Sequence, residues 1–215
     1  TALFATAENW LAEAGMKRAV GPFNLSLNQE CGLLVDGFDT PPSVMMGHAR
    51  PYYKEAIERQ GYAPVKDLLA YHLRPDFEAP PLMKTLISRH GARIRVRPLR
   101  KSALAQELEI LRGIFNDAWS ENWGFVPFTA DEFARMGKDL SMLVREGMVQ
   151  IAELDGEPVA FLVVLPNLNE VIGDLNGRLL PFGWAKLLWR LKVKFPRTMR
   201  VPLMGVRKKL QRTRI

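Results

Sequence analysis

The chain holds 215 residues, 47% hydrophobic and 25% charged, with one cysteine and a formal net charge of +7, ordinary proportions for one or two globular domains. The single Cys31 excludes an internal disulfide and a cysteine-rich zinc site, and the length suffices to bury a core without covalent staples. No apolar run approaches the ~20 residues that cross a bilayer, and the opening TALFATAENWLAEAG carries acids and lacks a basic leader, which points to the cytoplasm and to no membrane partner.

In chain order, Leu3, Ala7, Trp10, Leu11 and Ala14 recur at helical spacing, and Gly15 stands where a C-terminal cap belongs. Arg18 to Phe23 reads as a short strand. The Asn-, Gly-, Asp- and Pro-rich stretch to Pro42 reads as loop with an extended piece at Leu33–Val35, and Pro42 suits a helix first turn. A helix is expected over Tyr52–Gln60, closed by Gly61, then a strand over Pro64–Leu73. Asp76–Pro81 is a hinge and Leu82–His90 a short helix.

From Arg93 to Leu99 residues alternate, Ile94 and Val96 on one side and Arg93, Arg95 and Arg97 on the other, the pattern of a half-buried strand. Ala103–Trp119 is the best amphipathic helix, with Leu104, Leu108, Leu111, Ile114 and Phe115 on one face. Thr129 and Glu132 form a capping box for the next helix, which runs to about Val144. Asp155-Gly156 between the apolar runs Met148–Leu154 and Pro158–Leu165 predicts a hairpin. An apolar-basic helix over Phe182–Val193 and a strand over Arg200–Val206 follow. The sequence then continues as RKKLQRTRI.

Charge is uneven. After Asp174 no acid follows, whereas Lys and Arg recur from Arg178 to Arg214. Such a block favours a polyanion, and coenzyme A phosphates, nucleic acid and anionic lipid all qualify.

The order strand, helix, helix, hairpin, strand, basic loop from Arg93 onward resembles the first half of a GNAT acyltransferase, the acyl-CoA N-acyltransferase superfamily. That family binds coenzyme A after its fourth strand with a loop of the form Q/R-x-x-G-x-G/A, commonly with a Val five residues before it. Gln211 has Val206 at that spacing; Arg214 stands where the first Gly belongs. Residues 1–75 resemble the second half of the same fold: an opening helix, GMKRAVGPFN as its fifth strand, and Tyr52–Tyr62 as the next helix. The wording GPFN, NWGFVP, LNGRLLPFGW and MGV is similar to bacterial GNAT-like proteins of tandem type. The resemblance implies an α/β fold with a mixed, mostly antiparallel central sheet flanked by helices. It divides the chain into 1–75 as the C-terminal half of one unit, 76–92 as a linker with a short helix, and 93–215 as the N-terminal half of a second unit. The two pieces also suggest one composite domain in permuted order, with the strand ending at Val206 beside Arg18–Phe23.

The implied activity is transfer of an acyl or acetyl group from acyl-CoA (acetyl-CoA or another) to a small amine. Such chemistry needs positioning, an amide N–H for the thioester oxygen and a base. Val206, Arg207, Lys208, Gln211, Arg212 and Arg214 are the candidate cofactor-binding residues. Glu153, Glu170 and Asp174 are the candidate bases and Tyr53 a candidate acid, because Ile57 occupies the position of the family's usual Tyr.

Bland readings stand beside these: a solvated loop is the more common role for carboxylates such as those in PNLNEVIGDLNGR, and the aromatics of ENWGFVPF are either a pocket wall or a packed corner. His48, His72 and His90 lack metal-ligand spacing. The alternatives to an active enzyme are a GNAT-fold binding module without catalysis and nucleic-acid binding through the basic C-terminal segment. A membrane-surface role for FGWAKLLWRLKVKF also fits its composition, although burial of that helix against the sheet is the expected arrangement.

Overall fold

A computed structural model of the chain describes residues 2–24, 26–74, 76–141, 144–145, 147–193 and 195–213. It separates into two units, Thr1–Leu73 and Arg74–Ile215.

In the first unit Ala2–Glu13 forms α1. Gly15 closes it at φ +77°, a left-handed conformation that costs a residue without Cβ little, and the Met16 amide donates back to the Leu11 carbonyl. Phe23–Asn24 (β1) pairs antiparallel with Glu30–Cys31 (β2), and Tyr52–Glu58 forms α2. The strand expected over residues 18–23 is reduced to its final residue. No strand forms over 33–35 or 64–73, and no helix begins at Pro42. Extended segments become strands only when a neighbour accepts their hydrogen bonds, and among the described residues of this unit the one short ladder is used by β1 and β2. Among its described residues none is fully buried; Leu3 and Trp10, apolar at helical spacing, lie exposed on α1.

The second unit carries the core. Pro81–His90 (α3) passes through a turn of 3-10 helix into Ile94–Pro98 (β3). Leu104–Trp119 (α4) and Ala130–Ser141 (α5) follow. Val149–Leu154 (β4) and Glu157–Pro166 (β5) form the predicted hairpin, with Asp155 at φ +52° and Gly156 at φ +87° giving the turn that matches strand twist. The short helix Asn169–Ile172 (α6), Gly183–Val193 (α7) and Met199–Val206 (β6) complete it.

The sheet is an antiparallel meander in the order β3-β4-β5-β6. Its register places Arg97, Ile151, Phe161 and Gly205 in one row and Val96, Ala152, Ala160 and Val206 in the next. The first row shares its face with the apolar stripe of α4, where Leu108, Leu111, Ile114 and Phe115 are buried. Gly205 permits this approach: a Cβ there would stand 3.1 Å from the Phe161 ring and 3.2 Å from Ala118. The architecture is therefore mixed α/β, with antiparallel sheets and flanking helices.

Strand β1 pairs with β2 in a two-stranded sheet, whereas β6 pairs with β5 in the four-stranded sheet. Two expectations are corrected. On β3 the alternation holds but its sense is reversed, since Val96 is 62% exposed and the Arg97 side chain, 12% exposed, turns towards α4. The helix α7 buries no residue. It packs on α6, and its outward side alternates apolar groups with cations that a dry interior would not hold.

Candidate functional site

The basic turn after β6 is tightly bonded. The Arg207 amide donates to Val159 O at 2.8 Å, and those of Leu210, Gln211 and Thr213 close turns on Arg207, Lys208 and Leu210. The Lys208 amide donates to Asp117 Oδ2 at 2.8 Å. These amides, sequence candidates for holding a diphosphate, thus already have protein acceptors. Gln211 folds back, its Nε2 donating to Val206 O at 2.8 Å and Ala118 O at 3.1 Å. This fixes the turn to the ends of β6 and α4. Lys208 pairs with Glu121 and Lys209 with Glu157, and each lysine holds its carboxylate below the usual range by hydrogen bond and charge. Arg207 Nε donates to Pro158 O. Arg212 lies exposed at φ +64°, beside Glu121, whose ionised form it also favours. Arg214 lies outside the described residues.

The candidate carboxylates are all engaged. Glu170 accepts the amides of Arg197 and Thr198, both at 2.9 Å, and the Thr198 hydroxyl. Partial burial would raise its carboxyl, but these bonds, with Asn167, outweigh it and hold it below the usual range. Glu170 thereby fixes the start of β6. Asp174 receives Arg190 and Lys186, which hold it far below the carboxylate range. Tyr53 packs tilted against Tyr52 in α2, ring centroids 4.7 Å apart. Within the second unit Glu153, Glu170 and Asp174 thus meet separate sets of partners, and Tyr53 belongs to the first unit.

Glu153 belongs to a network that the sequence reading missed. Its Oε1 accepts Arg97 Nε at 2.5 Å, and Arg97 Nη1 donates to Glu107 Oε2 at 2.7 Å. Glu107, on α4, is 0% exposed and also accepts Arg100 Nε at 2.7 Å. Burial raises its carboxyl, but the bonds from Arg97 and Arg100 prevail and place it below the usual range. The signal was present: Glu107 lies four residues before Leu111 and seven before Ile114, on the apolar face of α4. The network explains the reversed β3, because an inward Arg97 has two carboxylates to meet.

Two apolar features border this core. Phe115 gathers Trp119, Phe125 and Phe128 at centroid distances of 5.4, 5.8 and 5.4 Å, and Asn116 clamps the loop by exchanging hydrogen bonds with the Phe128 backbone, both at 3.0 Å. The aromatic stretch is thus a packed corner. Between α4, α5 and the sheet lies a small apolar cavity of about 60 Å³, bordered by Leu108, Phe133, Met136, Leu140, Val163 and Leu203.

The described residues define a mixed α/β protein whose antiparallel meander ends in a basic turn. No helix among them is long and apolar enough to cross a membrane. No family model matches the chain. Two curated relatives match along it. Protein YghO of Escherichia coli (strain K12) is 53% identical over 215 residues, 100% of this chain and 55% of the relative. Bacterial ceramide synthase of Caulobacter vibrioides (strain NA1000 / CB15N) is 50% identical over 210 residues, 97% of this chain and 55% of the relative. The chain thus spans about half the length of these relatives. Among solved structures, an agmatine N-acetyltransferase in its apo form overlaps at a TM-score of 0.29 and 13% identity, covering 55% of this chain and 62% of that one. A likeness this slight leaves the fold to be judged on the chain's own geometry.

Proposed function

We propose that the chain forms part of an acyl-CoA-dependent N-acyltransferase of GNAT type. The observation that carries this reading is the 50% identity, along 97% of the chain, to a protein named a ceramide synthase. A ceramide bears its acyl group on the nitrogen of a long-chain amino alcohol, so its synthesis makes an amide bond. In this reading the amine nitrogen attacks the thioester carbonyl, the C–N bond forms and the C–S bond breaks. Coenzyme A leaves as thiolate, and the proton lost by nitrogen passes through water to Glu153. Arg207, Lys208 and Arg212, beyond Val206, attract the diphosphate of coenzyme A through charge, and Gln211 holds the turn that carries them.

The test is thermal unfolding of the chain with palmitoyl-CoA or acetyl-CoA, followed by mass spectrometry for an amide product with sphinganine as acceptor. Ligand at about a hundred times Kd adds about 2.7 kcal/mol, hence a Tm rise of about 5–10 °C for a chain of this size. Lys208→Glu with Arg212→Glu is expected to weaken binding about tenfold. Unchanged melting at saturating acyl-CoA refutes the proposal. Stabilisation without amide formation would instead favour a binding module, the reading that the already bonded amides of Arg207, Lys208, Leu210, Gln211 and Thr213 support.

A further inference from the structure

We propose that α7 and the residues just before it form a peripheral docking surface for an anionic lipid bilayer. Leu180 and Phe182 are 79% and 76% exposed, and Trp184, Leu188, Trp189 and Val193 on α7 are exposed too. Trp184 and Leu188 are four residues apart, as are Trp189 and Val193, so the helix presents two adjoining apolar rows to solvent. A contiguous patch of this kind is more than the scattered apolar exposure of ordinary surfaces.

Its chemistry favours a lipid surface over a protein core. Lys192 lies between the two rows, where its stem covers apolar surface while its ammonium reaches outward to headgroups. Tryptophan suits the boundary between headgroups and acyl chains. The Trp184 indole already donates to Pro181 O at 3.0 Å, which orients the ring and relieves it of its polar demand. The only acid from residue 174 onward is Asp174, and Lys186 and Arg190 neutralise it. No carboxylate of the described residues pairs with Arg178, Lys192 or Arg197, so the patch is net positive and complementary to anionic headgroups. The C-terminal end of α7 is held in place: Arg145 Nη2 donates to Leu191 O at 2.8 Å and Lys192 O at 3.2 Å, and its guanidinium lies 3.8 Å from the Phe195 ring centre. The surface does not rest on the acyl-transfer reading.

The experiment is flotation of the chain with phosphatidylcholine vesicles and with vesicles containing phosphatidylglycerol, at low and high salt, with quenching of tryptophan by brominated lipid. Binding to the anionic vesicles, weakened by salt and about tenfold or more by Trp184→Ser with Trp189→Ser, is the expected result. Trp10→Ser, a change of an exposed tryptophan on α1, should leave binding unaltered, and bromolipid quenching should fall when Trp184 and Trp189 are replaced by Phe. Any of three results overturns the proposal: no binding to anionic vesicles at low salt, equal binding by the double variant, or a self-associated chain that the double variant dissociates without any vesicle binding.

Discussion

Glu107→Gln keeps the shape of a buried side chain and removes its charge. In the native protein Glu107 accepts Arg97 at 2.7 Å and Arg100 at 2.7 Å through Nε and is 0% exposed. The variant sets an amide with two N–H donors against two guanidinium groups, so one oxygen must serve both and a donor faces a donor. Breaking a buried ion pair costs about 3–5 kcal/mol. Two facts place this case at the lower end: Arg97 retains Glu153 at 2.5 Å, and Arg100 is 57% exposed and can turn to water. The expectation is about 3 kcal/mol. With a urea slope of about 1–3 kcal/mol/M, the midpoint of the transition carrying the sheet falls by about 1–3 M.

The pH dependence gives a second readout. The folded carboxyl of Glu107 lies below its unfolded value of about 4.3. Its contribution is therefore complete above that value and is lost as pH falls through the folded pKa. The difference between native protein and variant should shrink with acidification across that window. Replacing Glu107, Arg97 and Glu153 together by apolar residues of similar size should cost less than Glu107→Gln alone. A Glu107→Gln loss under about 1 kcal/mol, or one unchanged by acid, refutes the assignment of a stabilising buried charge network.

Three further outcomes follow from the geometry. Gly113→Ala in α4 meets open space and should stabilise the protein by about 0.5–1 kcal/mol. The same substitution at Gly137 in α5 brings a Cβ within 2.4 Å of Leu108 and should destabilise by about 1 kcal/mol in urea unfolding, the low end for overpacking because Leu108 borders the cavity. Asp117→Ala removes the acceptor of the Lys208 amide; hydrogen exchange at that amide should quicken, with a global loss of about 1–2 kcal/mol.

Much of the second unit was legible in the sequence because each signal there was local and had a partner at hand. The α4 stripe, the capping box of Thr129 and Glu132, and the Asp155-Gly156 turn all appear as expected. In the first unit the extended runs near residues 18–23 and 64–73 looked alike on paper, yet only Phe23 and Asn24 found a ladder. The candidate carboxylates stood out in the sequence, but the partners of Glu153 and Glu170 lie far along the chain. Glu170 meets Arg197 and Thr198, and Glu153 meets Arg97.

The sequence by itself determined the alternation of β3, the helix of α7 and the acid-free basic stretch after Asp174. Tertiary structure alone decided which side each turned inward. Periodicity divides a segment into two faces but does not say which one is buried. Glu107 on a neighbouring helix drew Arg97 into the core and left Val96 outside, while the cations interleaved on α7 kept its tryptophans at the surface. Burial of a charge is settled by the partner that meets it, and that partner is supplied only when distant parts of the chain come together.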